Sequence, residues 1–161
     1  MNDLLFLMNC SKYDRIVTTP SLGDEARRTA LQNLIKEGCL TSLYNHALVS
    51  SRIDWVRNYS LLALTKFATL NTDIEDVAIT LQNDEIPLNF SLNKKKMKIK
   101  AARLLFIFTA TPKKPRKFKK ISLMGLIVGE HWEYCNELLE DSNVEEWIKD
   151  TIKSALKTKK N

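Results

Sequence analysis

The chain has 161 residues, 44% of them apolar and 27% charged, which gives one domain enough apolar content for a buried core and excludes disorder throughout. Only four Gly and four Pro occur, too few for the turns of a β-rich fold, so helices joined by few loops are expected. The net charge of +6 favours an anionic partner without choosing between nucleic acid, acidic protein and a membrane surface.

Residues 3–10 read as a short apolar helix. The run Leu4-Leu5-Phe6-Leu7-Met8 is too short for a membrane span, and Asp3 stands where a secretory signal would carry positive charge. Residues 11–20 read as a loop closed by Thr19-Pro20. Ser21-Leu22-Gly23-Asp24 then resembles a helix start, with acid at the positive end of the dipole. That helix runs from about Asp24 to Lys36, and Gly38 ends it. Helices from about Cys39 to Val49 and from about Ile53 to Thr69 follow. Asn71-Thr72-Asp73 reads as the cap of another, over about Ile74 to Gln82. Residues 83–93, with Pro87, read as a surface loop.

A strong helix runs from about Asn93 to Thr109, and the near-continuous apolar stretch in its second half places it mid-domain. Residues 110–120 read as a basic, Pro-containing surface loop. Helices over about 121–128, 130–139 and 144–156 complete the set, with 157–161 as a frayed tail. All of 1–161 is read as a single α-helical domain.

Four segments share a local pattern of small or apolar, basic, then apolar residues at helical spacing. They are Ala26–Leu34, Val56–Leu64, Ile99–Ile107 and Ile148–Leu156. With Lys36-Glu37-Gly38-Cys39-Leu40 and Asp54-Trp55-Val56-Arg57, this resembles armadillo and HEAT helical repeats. The resemblance implies a short right-handed stack of about three to four units, each burying its neighbour's apolar face. The segments are offset by 30, 43 and 49 residues, less regular than a true repeat, and Tyr59 stands where peptide-binding armadillo proteins carry a groove Asn. The alternative is an irregular helical bundle.

Charge is polarised along the chain. Between Lys94 and Lys120 there are twelve Lys or Arg and no acid. The first cluster is Lys94, Lys95, Lys96, Lys98 and Lys100; the second is Lys113, Lys114, Arg116, Lys117, Lys119 and Lys120. Both are candidates for binding phosphates or carboxylates. The second also reads as a nuclear import peptide. Against these stands a solvated surface that answers the acidic stretch 130–150.

Three scattered cysteines, Cys10, Cys39 and Cys135, make no disulfide framework, so reduced thiols in the cytosol or nucleus are expected. Cys39, His46, His131 and Cys135 could close a zinc site only at unfamiliar spacings, and buried cysteines are the better reading. Glu130, Glu133, Glu137 and Glu140 read as a solvated helix face. No phosphate loop or nucleophile with a base is apparent, so no enzyme, cofactor or small-molecule substrate is expected. The resulting expectation is a protein-interaction module offering a basic surface to an acidic partner, in cytoplasm or nucleus. The alternative is a nucleic-acid-binding protein, of a viral accessory or matrix-like kind, using the same lysines on phosphates. The apolar edges of a short stack would also allow a second copy to pack.

Overall fold

The computed structural model describes residues 3–74 and 77–160. Within them lie eight α-helices: α1 (Asp3–Val17), α2 (Asp24–Lys36), α3 (Leu40–Leu48), α4 (Asp54–Ala68), α5 (Lys94–Ala110), α6 (Arg116–Val128), α7 (Trp132–Glu140) and α8 (Glu146–Lys160). One hairpin, β1 (Ala78–Leu81) and β2 (Asp84–Pro87), is inserted between α4 and α5. The fold is all-α apart from this hairpin.

The helices form four successive pairs. The first helices touch in chain order, α1 to α3, α3 to α5 and α5 to α7. The second helices do the same, α2 to α4, α4 to α6 and α6 to α8. The result is a two-layer stack in which each pair packs on the next. The apolar residues between the layers form one core, with Leu31, Leu34, Leu61, Leu64, Leu105 and Leu126 all sealed from solvent. Helical spacing puts these residues on inward faces, and their burial, rather than propensity, holds the helices.

Contacts fix the direction of the first layer. Cys10 bonds Cys39 while Asp14 reaches Ser42 and His46, so α1 and α3 run parallel. Leu92 and Met97 crowd Gly38 at one end of α3, and Lys114 reaches the Leu48 carbonyl at the other, so α5 is parallel to both. Gly38, at φ 68°, ends α2 as expected: it takes the left-handed cap while the N–H of Cys39 donates to the Leu34 carbonyl at 2.8 Å.

Several expectations are corrected. The loop read at 11–20 is helix as far as Val17, because Tyr13, Ile16 and Val17 extend the apolar face of α1 onto the core. The helix read at 74–82 is instead strand β1 and its turn, with residues 75 and 76 outside the described set. Ile79 and Leu81 point inward and alternate with exposed Ala78 and Thr80, a period of two. Within 83–93, read as loop, residues 84–87 form β2, joined to β1 by the two-residue turn Gln82-Asn83. The 110–120 loop is shorter than read, since α6 starts at Arg116. The tail read as frayed is helical through Lys160, and Asn161 lies outside the described residues. Arg103 and Ile107 leave one face of α5 in solvent, so its second half is not enclosed all round.

Asp84 docks the hairpin. Its carboxylate accepts from Arg28 Nε at 2.7 Å and from the Tyr59 hydroxyl at 3.1 Å, while Arg28 also donates to Gln82 at 3.0 Å. The Arg28 hydrogen bond holds Asp84 below the ordinary carboxylate value near 3.8, against a smaller opposing effect of burial. A depressed folded-state pKa means that the contribution is present above 3.8 and disappears as pH falls through the lower folded value. Wild type should therefore melt above Asp84→Asn at neutral pH and converge with it in acid. A constant gap across a series of melting curves from pH 6 to pH 2 would contradict this.

Candidate anion-binding surface

The first basic cluster occupies the opening turns of α5. Asn93 caps the helix by accepting from the Lys96 N–H at 3.1 Å. No acid follows in the first turn; Lys94, Lys95 and Lys96 sit there instead, adding charge to the already positive end of the helix dipole. Lys95, Lys96 and Lys100 are exposed, and Lys94 and Lys98 are half-buried. None of the five forms an ion pair with a described residue. Lys96, Lys100 and Arg103 line one exposed face of α5, interleaved with Ile99 and Ile107. An anion there would relieve repulsion that no ion pair with a described residue relieves.

The second cluster is mostly engaged within the fold. Lys114 donates to the Leu48 carbonyl at 2.9 Å, closing the C-terminal end of α3. Lys117 pairs with Asp54 at the start of α4. Arg116 lies 4.7 Å over the Trp147 ring. Lys119 corrects the sequence reading most sharply: it is wholly buried and its ammonium donates to both Glu145 oxygens at 3.0 Å. Phe118 directs that face of α6 inward, and Lys119 goes with it. Lys113 and Lys120 remain exposed, and neither forms an ion pair with a described residue. The two clusters therefore do not merge into one surface.

The basic residue of the shared sequence pattern was read correctly at Arg27, Arg57 and Lys149, but Lys119 escaped that reading. Arg27, Arg57, Lys119 and Lys149 each hold the fourth position of the second helix in a pair. Arg27 donates to the Val17 carbonyl at 2.9 Å and Arg57 to the Ala47 carbonyl at 3.0 Å, each closing the C-terminal end of the preceding helix. Each also reaches the next pair: Arg27 lies 5.7 Å over Trp55, and Arg57 lies 4.5 Å over Phe118. In the third pair Phe118–Leu126 lies on the second helix, α6, as Ala26–Leu34 and Val56–Leu64 do in theirs, whereas Ile99–Ile107 lies on the first helix, α5. The signal was in the sequence, as Ser60-Leu61 with Leu64 recurs as Ser122-Leu123 with Leu126.

The other chemical candidates fold into structural roles. Cys10 and Cys39 are bonded to each other, with Cα atoms 5.9 Å apart, which overturns the expectation of reduced thiols there. Cys135 is free and buried, and desolvation pushes its thiol up to about 11, far from the thiolate that reactivity requires. Among the described residues no three His, Cys, Asp or Glu converge as metal ligands. His131 Nε2 stands 2.7 Å from the Ala68 carbonyl. Glu130, Glu133, Glu137 and Glu140 are exposed.

Asp14, Ser42 and His46 do meet. The Ser42 hydroxyl donates to Asp14 at 2.9 Å, and His46 Nε2 lies 2.8 Å from the other carboxylate oxygen. Nucleophilic catalysis needs the imidazole between serine and carboxylate, so that it can take the hydroxyl proton. Here the carboxylate is central and the histidine does not touch the serine oxygen, which suits a tether between α1 and α3. No described helix is long and apolar enough to cross a membrane. Comparison of the chain with family models, curated proteins and solved structures finds no significant match.

Proposed function

We propose that the chain is a non-catalytic interaction module, a short helical stack of armadillo or HEAT type, that offers the N-terminal half of α5 to an anionic partner. The observation that carries this reading is the concentration on two turns of one helix of five lysines that form no ion pair with a described residue, against the preference of its dipole. The paired helices and their recurrent basic fourth position support the repeat assignment. The alternative, a nucleic-acid-binding protein that uses the same lysines on phosphates, rests on the first cluster in the same way, because Lys114, Lys117 and Lys119 are engaged internally.

The test compares two charge-removal variants on an immobilised polyanion, heparin, at two salt concentrations. Changing Lys94, Lys95 and Lys96 to Ser should abolish retention at moderate salt and leave the melting temperature within a few degrees. Changing Lys114, Arg116 and Lys117 to Ser should lower the melting temperature and cost less retention. Equal retention of wild type and the first variant would remove the basis of the proposal.

A further inference from the structure

The exposed apolar residues of this fold are not evenly spread, and the largest concentration lies at the same end as the free lysines. The Cys10–Cys39 bond pins the middle of α1 to the N-cap of α3, so the opening turns of α1 project beyond α3 by roughly 10 Å at 1.5 Å per residue. Leu5, Leu7 and Met8 on that projection are each more than half exposed. Phe6 at this helical end packs against the core, whereas Leu5, Leu7 and Met8 contribute little to the packing of the described residues.

The loop that leads into α5 lies at this same end. The N–H of Asn89 donates to the Lys36 carbonyl at 3.0 Å and its side chain to Glu37 at 3.1 Å, which anchors the loop to the α2–α3 turn. From that anchor Phe90 stands out, 91% exposed, four residues before Lys94. Since α1, α3 and α5 run parallel, the apolar start of α1, Phe90 and the lysines of α5 share one end of the first layer. Phe6 and Leu7 of α1 line one cleft together with Lys100 of α5, so the two features face a common space.

This juxtaposition deepens the proposed function and rests on it. We infer that the anionic partner is the surface of an acidic lipid bilayer, engaged by the lysines at headgroup level with Leu5, Leu7, Met8 and Phe90 inserted beneath them. The arrangement favours a bilayer over the other polyanions. Nucleic acid offers phosphates but no apolar phase for aliphatic side chains. A folded acidic protein would meet its partner's apolar residues in a shaped recess, whereas here they stand on a projecting helix end and a loop tip. A fluid interface accepts protruding apolar groups flanked by cations without shape matching.

The experiment is co-sedimentation of the purified full chain with phosphatidylcholine vesicles that contain or lack phosphatidylserine. It is run beside retention on polyglutamate and on mixed-sequence RNA. Two variants accompany wild type, Lys94, Lys95 and Lys96 to Ser, and Leu5, Leu7 and Phe90 to Ser. All six positions are exposed or half-exposed, and circular dichroism checks that both variants keep wild-type helicity. Binding only to phosphatidylserine vesicles, falling at least tenfold in each variant, supports the inference. Vesicle binding that needs the lysines but is unchanged without the apolar groups overturns it and leaves the anion-binding function standing. So does retention on polyglutamate or RNA without vesicle binding. Binding to none of the three ligands overturns the inference and the proposed function together.

Discussion

Replacing Glu145 with Ala should lower unfolding stability by about 3 kcal/mol, whereas replacing its partner Lys119 with Met should cost less than about 1 kcal/mol. The asymmetry follows from where the two charges lie. The Lys119 side chain is 0% exposed, while that of Glu145 is 40% exposed. Removing the acid strands a fully buried ammonium that has lost both of its 3.0 Å bonds. Removing the base instead leaves a carboxylate that water can already reach, and Met keeps most of the lysine stem volume in the core. The double variant should resemble Lys119→Met, because the stranded charge is gone. Urea unfolding of the three variants, extrapolated to water, measures all of this. Equal losses in the two single variants would mean that the pair behaves as an ordinary surface ion pair.

Opening the Cys10–Cys39 bond should cost about 3.5 kcal/mol, from the chain entropy restored to an unfolded state no longer closed over some thirty residues. Both sulfurs lie in the core, so the comparison uses Ala at both positions, which leaves no buried hydroxyl. Wild type should lose stability on addition of reductant, and the Cys10→Ala, Cys39→Ala double variant should be indifferent to it. Urea midpoints with and without reductant give the answer. A wild-type midpoint that reductant does not move would refute a closed bond in the purified protein. Native α1 also carries the Asp14 contacts to Ser42 and His46, so the helix should stay docked after reduction, and far-ultraviolet circular dichroism should hardly change.

Much of the fold was legible because its signals are local. The starts and ends of α2, α3, α4 and α5 were placed within a residue of their observed positions by apolar spacing, Gly38 and the acids at helix starts. The hairpin was missed for a physical reason that the residues make clear. Asn71-Thr72-Asp73 is a sound helix cap in isolation, but Val77, Ile79 and Leu81 repeat with a period of two, and a window that begins at the cap blurs this into a helix. The early end set for α1 has a similar cause: Asn9, Ser11 and Lys12 dilute the apolar stripe just where the helix passes from its exposed start to the packed half.

The candidate site was legible as composition and not as placement. Both lysine clusters are equally basic as text. Lys95 and Lys96 stay in solvent, and Lys94 half in it, because the stack leaves much of the first turn of α5 uncovered, and Lys119 is drawn inside because Phe118 and Leu123 must bury the face it shares.

The sequence alone determined the all-α class, the helix boundaries set by local caps and the polarised distribution of charge, since each depends on residues within a turn or two of one another. Only the tertiary structure decided which lysines are free, that Cys10 and Cys39 meet, and that Arg27 and Arg57 close helices ten residues earlier in the chain. Those outcomes depend on how the helix pairs stack, and stacking brings together groups whose separation along the chain carries no periodic signal.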